Sequence, residues 1–199
     1  MTESASAQVR AGSVTALEGS AIVTRGARTI PAANAMEVLV GDSLSTGARS
    51  RLTITMIDGS QLMLSDSSSF VIDRANSARP KLDSALRLLK GHLRAVVSFT
   101  TGSMAPNFEV HTPNAVVGVR GTDFETAFID GKPCPGFPQC FRYTDVGVYK
   151  GVVEVRNPTS AKPTVVRVAA GYEITVPCEL PPASPGPLGI GDITAPMYR

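Results

Sequence analysis

The chain has 199 residues, 43% apolar and 18% charged, with 19 basic against 17 acidic side chains. That length holds one domain, or one and a half, and buries a sizeable core without staples. The apolar fraction excludes wholesale disorder. No apolar run approaches the roughly 18 residues of a membrane helix, and a net charge of +2 without an Arg/Lys run argues against a nucleic-acid surface.

In chain order, residues 1–11 read as a mobile lead-in. Within it, Ala5-Ser6-Ala7 has the small-x-small form that ends a secretory signal, and equally reads as filler of a floppy terminus. From Ser13 onward, short alternating runs begin. Val14 and Ala16, then Ala21 and Val23, flank Leu17-Glu18-Gly19-Ser20, and Val38 and Val40 precede a turn at Gly41-Asp42. Leu52-Thr53-Ile54-Thr55-Met56 is a period-2 strand with a threonine face, followed by Asp58-Gly59 and Gln61-Leu62-Met63-Leu64. A two-residue loop there would place Leu62 and Leu64 on the threonine face. A three-residue loop, Ile57-Asp58-Gly59, pairs Ile54 with Leu62 and Leu52 with Leu64, so the apolar faces agree. The alternative is a corner, with the two strands not direct partners.

Residues 73–91 are ambiguous. Leu82, Ala85, Leu86 and Leu89 have helical spacing, yet Ala85 to Leu88 also alternates. The reading adopted is strand from Leu86, with a turn of helix over 81–86 as the alternative, a turn at Lys90-Gly91, and strand again from His92 to Phe99. One device recurs: Gly19, Gly91, Gly151 and Gly171 each open an alternating strand, where glycine supplies a positive φ or a tight corner. Their irregular spacing excludes a strict short-period solenoid. The segment 130–141 holds Cys134 and Cys140 among prolines, and the expectation is a short disulfide between them. Cys178 remains, as a free thiol or a partner of one of the others. Residues 179–199, with five prolines, read as a tail.

His111-Thr112-Pro113-Asn114 leading through Val116-Val117-Gly118-Val119 to Arg120-Gly121-Thr122-Asp123-Phe124 closely resembles the signature of the FecR domain. Val14 to Arg25, Val40 to Gly47, Leu52 to Leu64, Leu89-Lys90-Gly91 and Tyr149 to Val155 agree in order, so the resemblance covers roughly residues 12–176. It implies a periplasmic or extracellular all-β domain, with solenoid-like or jelly-roll-like packing, over residues 12–178. The family is best known from transmembrane sigma-factor regulators. No sigma-binding segment or membrane helix is legible in this sequence, so signal relay across a membrane is not expected of it. The insertion from Asp130 to Phe141 looks peculiar to this chain.

The chemistry of the side chains is sparse. An enzymatic reading needs His111 to converge with Asp123 or Glu125 and with Ser98 or Ser103, and no positioning motif supports it. His92, after a turn glycine, reads as solvent-exposed. Arg120, Thr122 and Asp123 form the strongest polar cluster, either a carboxylate- or phosphate-gripping site or, as the favoured reading, a structural clamp at a bend. Phe137 and Phe141 on the proline-stiffened loop suit partner contact, or else fold back as a local mini-core. No metal or cofactor is expected. The leading expectation is a non-enzymatic exported binding or scaffold module whose partner is an envelope protein or a cell-wall or polysaccharide component. The alternatives are the sensory portion of a sigma-regulatory, iron-uptake-like system, and an enzyme acting on envelope glycans.

Overall fold

The computed structural model describes residues 9–76, 83–97, 107–119, 121–162 and 164–189. Arg120, Ser98, Ser103, the start of the alternative helical turn at 81–82, and the segments 1–8 and 190–199 lie outside the described residues. Among those described, every regular element is a strand. In chain order they are β1 (Arg10–Glu18), β2 (Ala21–Arg25), β3 (Arg28–Pro31), β4 (Glu37–Leu39), β5 (Ser43–Thr46) and β6 (Arg51–Met56). Then come β7 (Gln61–Leu64), β8 (Ser69–Asn76), β9 (Asp83–Val96), β10 (Asn107–His111), β11 (Val116–Val119) and β12 (Asp123–Asp130). The last are β13 (Arg142–Lys150), β14 (Val152–Arg156), β15 (Val165–Ala169), β16 (Tyr172–Pro177) and β17 (Gly186–Pro187).

The alternation read from the sequence is an in–out alternation about one core. In β6, Leu52, Ile54 and Met56 are buried and the threonines between them are not. The register with β7 is Leu52 opposite Leu64 and Ile54 opposite Leu62, as the three-residue loop requires. Asp58 Oδ1 closes that loop by accepting from the Ser60 N–H at 2.8 Å.

Pairings resolve into two layers that share β9. Sheet I runs β4-β1-β6-β7-β9-β12-β13-β16-β17, antiparallel throughout. Sheet II runs β3-β2-β5-β8-β9-β10-β11-β14-β15, with one parallel pair, β9 and β10. The inward side chains of both layers form a single cluster, including Ile54, Leu62 and Phe124 from sheet I and Leu44, Phe70 and Val117 from sheet II. Phe108 and Phe124 meet edge to face across it, centroids 6.5 Å apart.

The recurring glycines are the corners where the chain passes from one layer to the other. Gly19 lies between β1 and β2, Gly151 between β13 and β14, and Gly171 between β15 and β16. Gly91 lies inside β9, whose residues up to Lys90 pair in sheet II and whose residues from Gly91 on pair in sheet I. The expected turn at Lys90-Gly91 is thus a corner within one strand. A hydroxyl from the next rung sits beneath two of these corners. Ser50 Oγ accepts from the Ser20 N–H and Ser68 Oγ from the His92 N–H, each at 2.9 Å.

Both faces of β12 and β13 are buried, against the usual alternation. The segment 131–141 folds back over sheet I and covers Ala127, Ile129 and Tyr143, making a second small cluster with Cys134, Cys140, Phe137 and Cys178. The disulfide expectation is corrected here. Cys140 bonds Cys178, with Cα atoms 5.7 Å apart, and Cys134 is a buried free thiol. The cause is tertiary pairing: Tyr143 faces Pro177 in the β13–β16 ladder, and the Cys178 N–H donates to Arg142 O at 3.0 Å. This brings residue 178 beside residue 140. The proline-rich segment after Cys178 runs back along sheet I as far as it is described. The Ala183 N–H donates to Thr175 O and the Leu188 N–H to Gly171 O, and β17 pairs with Tyr172 and Glu173.

Candidate functional site

Two outer surfaces carry the polar chemistry. On sheet I, the outward positions of β9, β12 and β13 assemble five side chains into one network. The Arg94 guanidinium grips Asp123 with two bonds of 2.8 and 2.7 Å and stacks over the Tyr149 ring, its Cζ 4.5 Å from the centroid. Tyr149 donates its hydroxyl to Glu125 at 3.0 Å, and the other Glu125 oxygen lies 3.3 Å from His92 Nδ1. Glu125 is fully buried. The hydrogen bond to Asp123 outweighs desolvation and raises the Arg94 pKa. Burial, with the Glu125 carboxylate beside it, raises that of Tyr149. Fully bonded in this way, the network reads as a clamp joining three strands rather than a reactive centre.

On sheet II, the outward faces of β10, β11, β14 and β15 form a groove of about 730 Å³. Its floor is low because of one residue. Glu109, Gly118, Glu154 and Arg167 stand abreast across the four strands, and Gly118 leaves a gap between two carboxylates. Those carboxylates are held: Glu109 lies 2.8 Å from His111 Nε2, and Glu154 accepts from Arg167 Nε at 3.0 Å. Val152 and Val165 expose apolar surface along the same groove. The groove thus combines exposed apolar side chains with paired charges along its walls.

The sequence candidates divide. Asp123 is clamped by Arg94 of β9, whereas the sequence reading gave that part to Arg120, which lies outside the described residues. Thr122 is buried at the Gly151 corner. Phe137 folds back into the second cluster, as the mini-core reading has it, while Phe141 stays 52% exposed. His111 meets Glu109 on sheet II, whereas Asp123 and Glu125 lie on sheet I, so the convergence that the enzymatic reading requires does not occur. His92 is not a free surface residue but a partner of Glu125. The Thr112-Pro113-Asn114 step is a buried knot. The Thr144 hydroxyl donates to Asn114 Oδ1 at 2.7 Å, Thr112 and Thr144 Oγ1 atoms lie 2.7 Å apart, and Asn114 Nδ2 donates to Val176 O at 2.7 Å. Asp42 of the Gly-Asp segment is likewise buried, accepting both Arg25 donors at 2.8 Å.

Sequence reasoning missed Arg94, Glu125 and Tyr149 as one unit, and the groove altogether. The available signal was strand parity, since all three occupy outward positions of apolar strands. What was lacking was the pairing order that makes β9, β12 and β13 neighbours. Among the described residues no group of three or more His, Cys, Asp or Glu is arranged to hold a metal, and no helix is long and apolar enough to cross a membrane.

The architecture is a two-layer β body linked at glycine corners, with a groove on the outer face of sheet II. The model of the FecR protein family matches residues 42–154, more than half of the chain, and the chain belongs to that family. Among curated proteins none matches. Two crystal structures of a proposed anti-sigma factor from Parabacteroides distasonis ATCC 8503, at 2.50 and 1.65 Å resolution, are similar at 21% identity, with TM-scores of 0.49 and 0.48. The alignments cover 68% of this chain and 54% of theirs, so the chain spans about half the length of those structures.

Proposed function

We propose that this chain is the sensory part of a FecR-type sigma-regulatory system, a non-enzymatic module outside the cytoplasm, with the groove over Gly118 as its docking surface. The observation that carries this reading is that the family match, residues 42–154, runs through the floor and most of the walls of the groove, including Asn107, Glu109, Gly118 and Glu154. The Cys140–Cys178 bond supports an oxidising compartment.

A transcription measurement tests it. Deleting the gene is expected to change expression of a single sigma-dependent regulon. Gly118→Trp, which fills the groove at a position where a Cβ meets nothing closer than Glu154 O at 3.9 Å, is expected to reproduce that change in folded protein. Deletion without any regulon effect sinks the sensory reading.

A second reading, a stand-alone binding or scaffold module for an envelope protein or glycan, is favoured by Phe141, exposed on a loop stiffened by prolines. It predicts that Phe141→Ala abolishes capture of the envelope partner while the groove variant retains it.

A further inference from the structure

All three cysteines meet in the cluster under the 131–141 segment, two of them bonded and one free. The Cys134 N–H donates to Cys140 O at 2.7 Å. That bond joins the two ends of a tight loop, and both side chains turn into the same small cluster, which brings the pair to on the order of the Cα spacing a disulfide bridges, roughly 4.4–6.8 Å. Cys140 therefore has two thiol partners in reach, Cys178 across the sheet and Cys134 across the loop.

What each pairing holds is different. Cys178 is a backbone junction. Its carbonyl accepts from Asn157 Nδ2 at 2.8 Å and from Asn114 Nδ2 at 3.4 Å, the second of these from the buried Thr112–Asn114 knot. Bonded to Cys178, Cys140 ties the loop to the end of β16, to that knot and to the strap 179–189. Bonded to Cys134, it closes the loop on itself and leaves the strap to hydrogen bonds alone.

We propose that the segment 131–141 is a thiol–disulfide exchange switch, in which Cys134 displaces Cys178 from Cys140 and so uncouples the loop from β16 and the strap. The Cys134 thiol loses its proton to water and attacks Cys140 Sγ. The Cys140–Cys178 bond breaks as the Cys134–Cys140 bond forms, and Cys178 leaves as a thiolate and takes up a proton. One disulfide and one thiol are present before and after, so no outside oxidant or reductant is needed. The closed loop restrains the step. Burial, with the Asp145 charge nearby, raises the Cys134 thiol to about 11, and Tyr143 packs in the same cluster. Thiolate is the attacking species, so the switch stays quiet until the loop lifts or the pH climbs.

Peptide mapping under non-reducing conditions reads the two states. Trypsin leaves Cys134 and Cys140 together on the peptide 121–142, because proline follows Lys132, and places Cys178 on 168–199. The full chain is held at pH 7 and at pH 9 without added thiol, alkylated, digested and weighed. The expected result is a mixture of the cross-linked pair and a 121–142 peptide closed on itself with Cys178 alkylated. The closed form should appear about 100-fold faster at pH 9, since thiolate rises tenfold per pH unit below the thiol's value. Cys178→Ser with oxidised glutathione is expected to form Cys134–Cys140 in protein of unchanged circular dichroism, while Cys134→Ser yields the cross-linked pair alone. If only the cross-linked pair is found at every pH until complete reduction, or if Cys178→Ser stays a dithiol or gathers glutathione adducts, the switch is overturned.

Discussion

At Gly151 the backbone turns with φ of 85° while the next rung presses from below. A Cβ there would lie 2.7 Å from Thr122 Cγ2 and 3.0 Å from Gly121 O. Gly171 turns the same way, at 83°, into open space. The two positions separate conformational cost from crowding. Gly171→Ala is expected to lose about 1–2 kcal/mol from the left-handed conformation alone. Gly151→Ala should lose that and about 1–3 kcal/mol more from overpacking, as a difference in urea midpoints at equal slope. Arg94 supplies a second contrast at this scale. Arg94→Met keeps an unbranched apolar chain but removes the guanidinium, both its fork on Asp123 and its stacking over Tyr149, so a loss of about 2 kcal/mol is expected. Asp123→Asn should lose less than Arg94→Met, because the asparagine amide still accepts one of the two bonds. A thermal or urea series on the two variants checks the order.

Among the elements, β9 is the hinge of the architecture. It serves both layers, and Ser68 holds the point where it changes from one to the other by accepting the His92 N–H. Ser68→Ala leaves that part-buried amide without its acceptor, which costs about 1–3 kcal/mol. Amide hydrogen exchange should localise the effect to His92 and its neighbours, and uniform loss of protection along β9 would contradict a local role. The element scale also explains the half-legible stretch at 83–91. Ser84, Leu86 and Leu88 are buried on strand spacing, yet Leu82, Ala85, Leu86 and Leu89 also fit a helical stripe. Periodicity over a few residues does not choose between the two; partners on both sides of β9, β8 and β10, do.

For the whole molecule, the long-range bond is the Cys140–Cys178 disulfide, which closes 38 residues. The chain-entropy relation assigns a bond of that separation about 4 kcal/mol, so urea unfolding with and without reductant should differ by about that amount. Cys134 adds a pH dependence of the fold. Its thiol stays protonated in the fold up to about 11, above the unfolded value of roughly 8.5. Between the two values the unfolded chain binds fewer protons, so stability is full below the lower one and falls as pH rises through the upper. Cys134→Ser, with the Cys140–Cys178 bond intact, should show a shallower decline of the urea midpoint between pH 9 and 11. An identical decline in both proteins would assign the effect to other groups, Tyr149 first.

Much of the local plan was written in the sequence alone. Period-2 alternation decided that the chain is all-β. The parity of Ile54 against Leu62 decided the β6–β7 register, and glycines at positive φ marked the corners before any layer was known. These are local facts, set by sterics and by a two-residue period. The ordered motifs named the family, because the Asp42, Asn114 and Gly91 contacts need particular residues at particular places. Only the tertiary structure decided what those pieces build. Burial on both sides of β12 and β13 comes from a loop folding back. The groove exists because β10, β11, β14 and β15 line up Gly118 between Glu109 and Glu154. The partner of Cys140 is Cys178 because β16 pairs with β13. Nearness along the chain favoured Cys134, but hydrogen-bonded strand pairing, which ignores sequence distance once the layers close, placed Cys178 there instead.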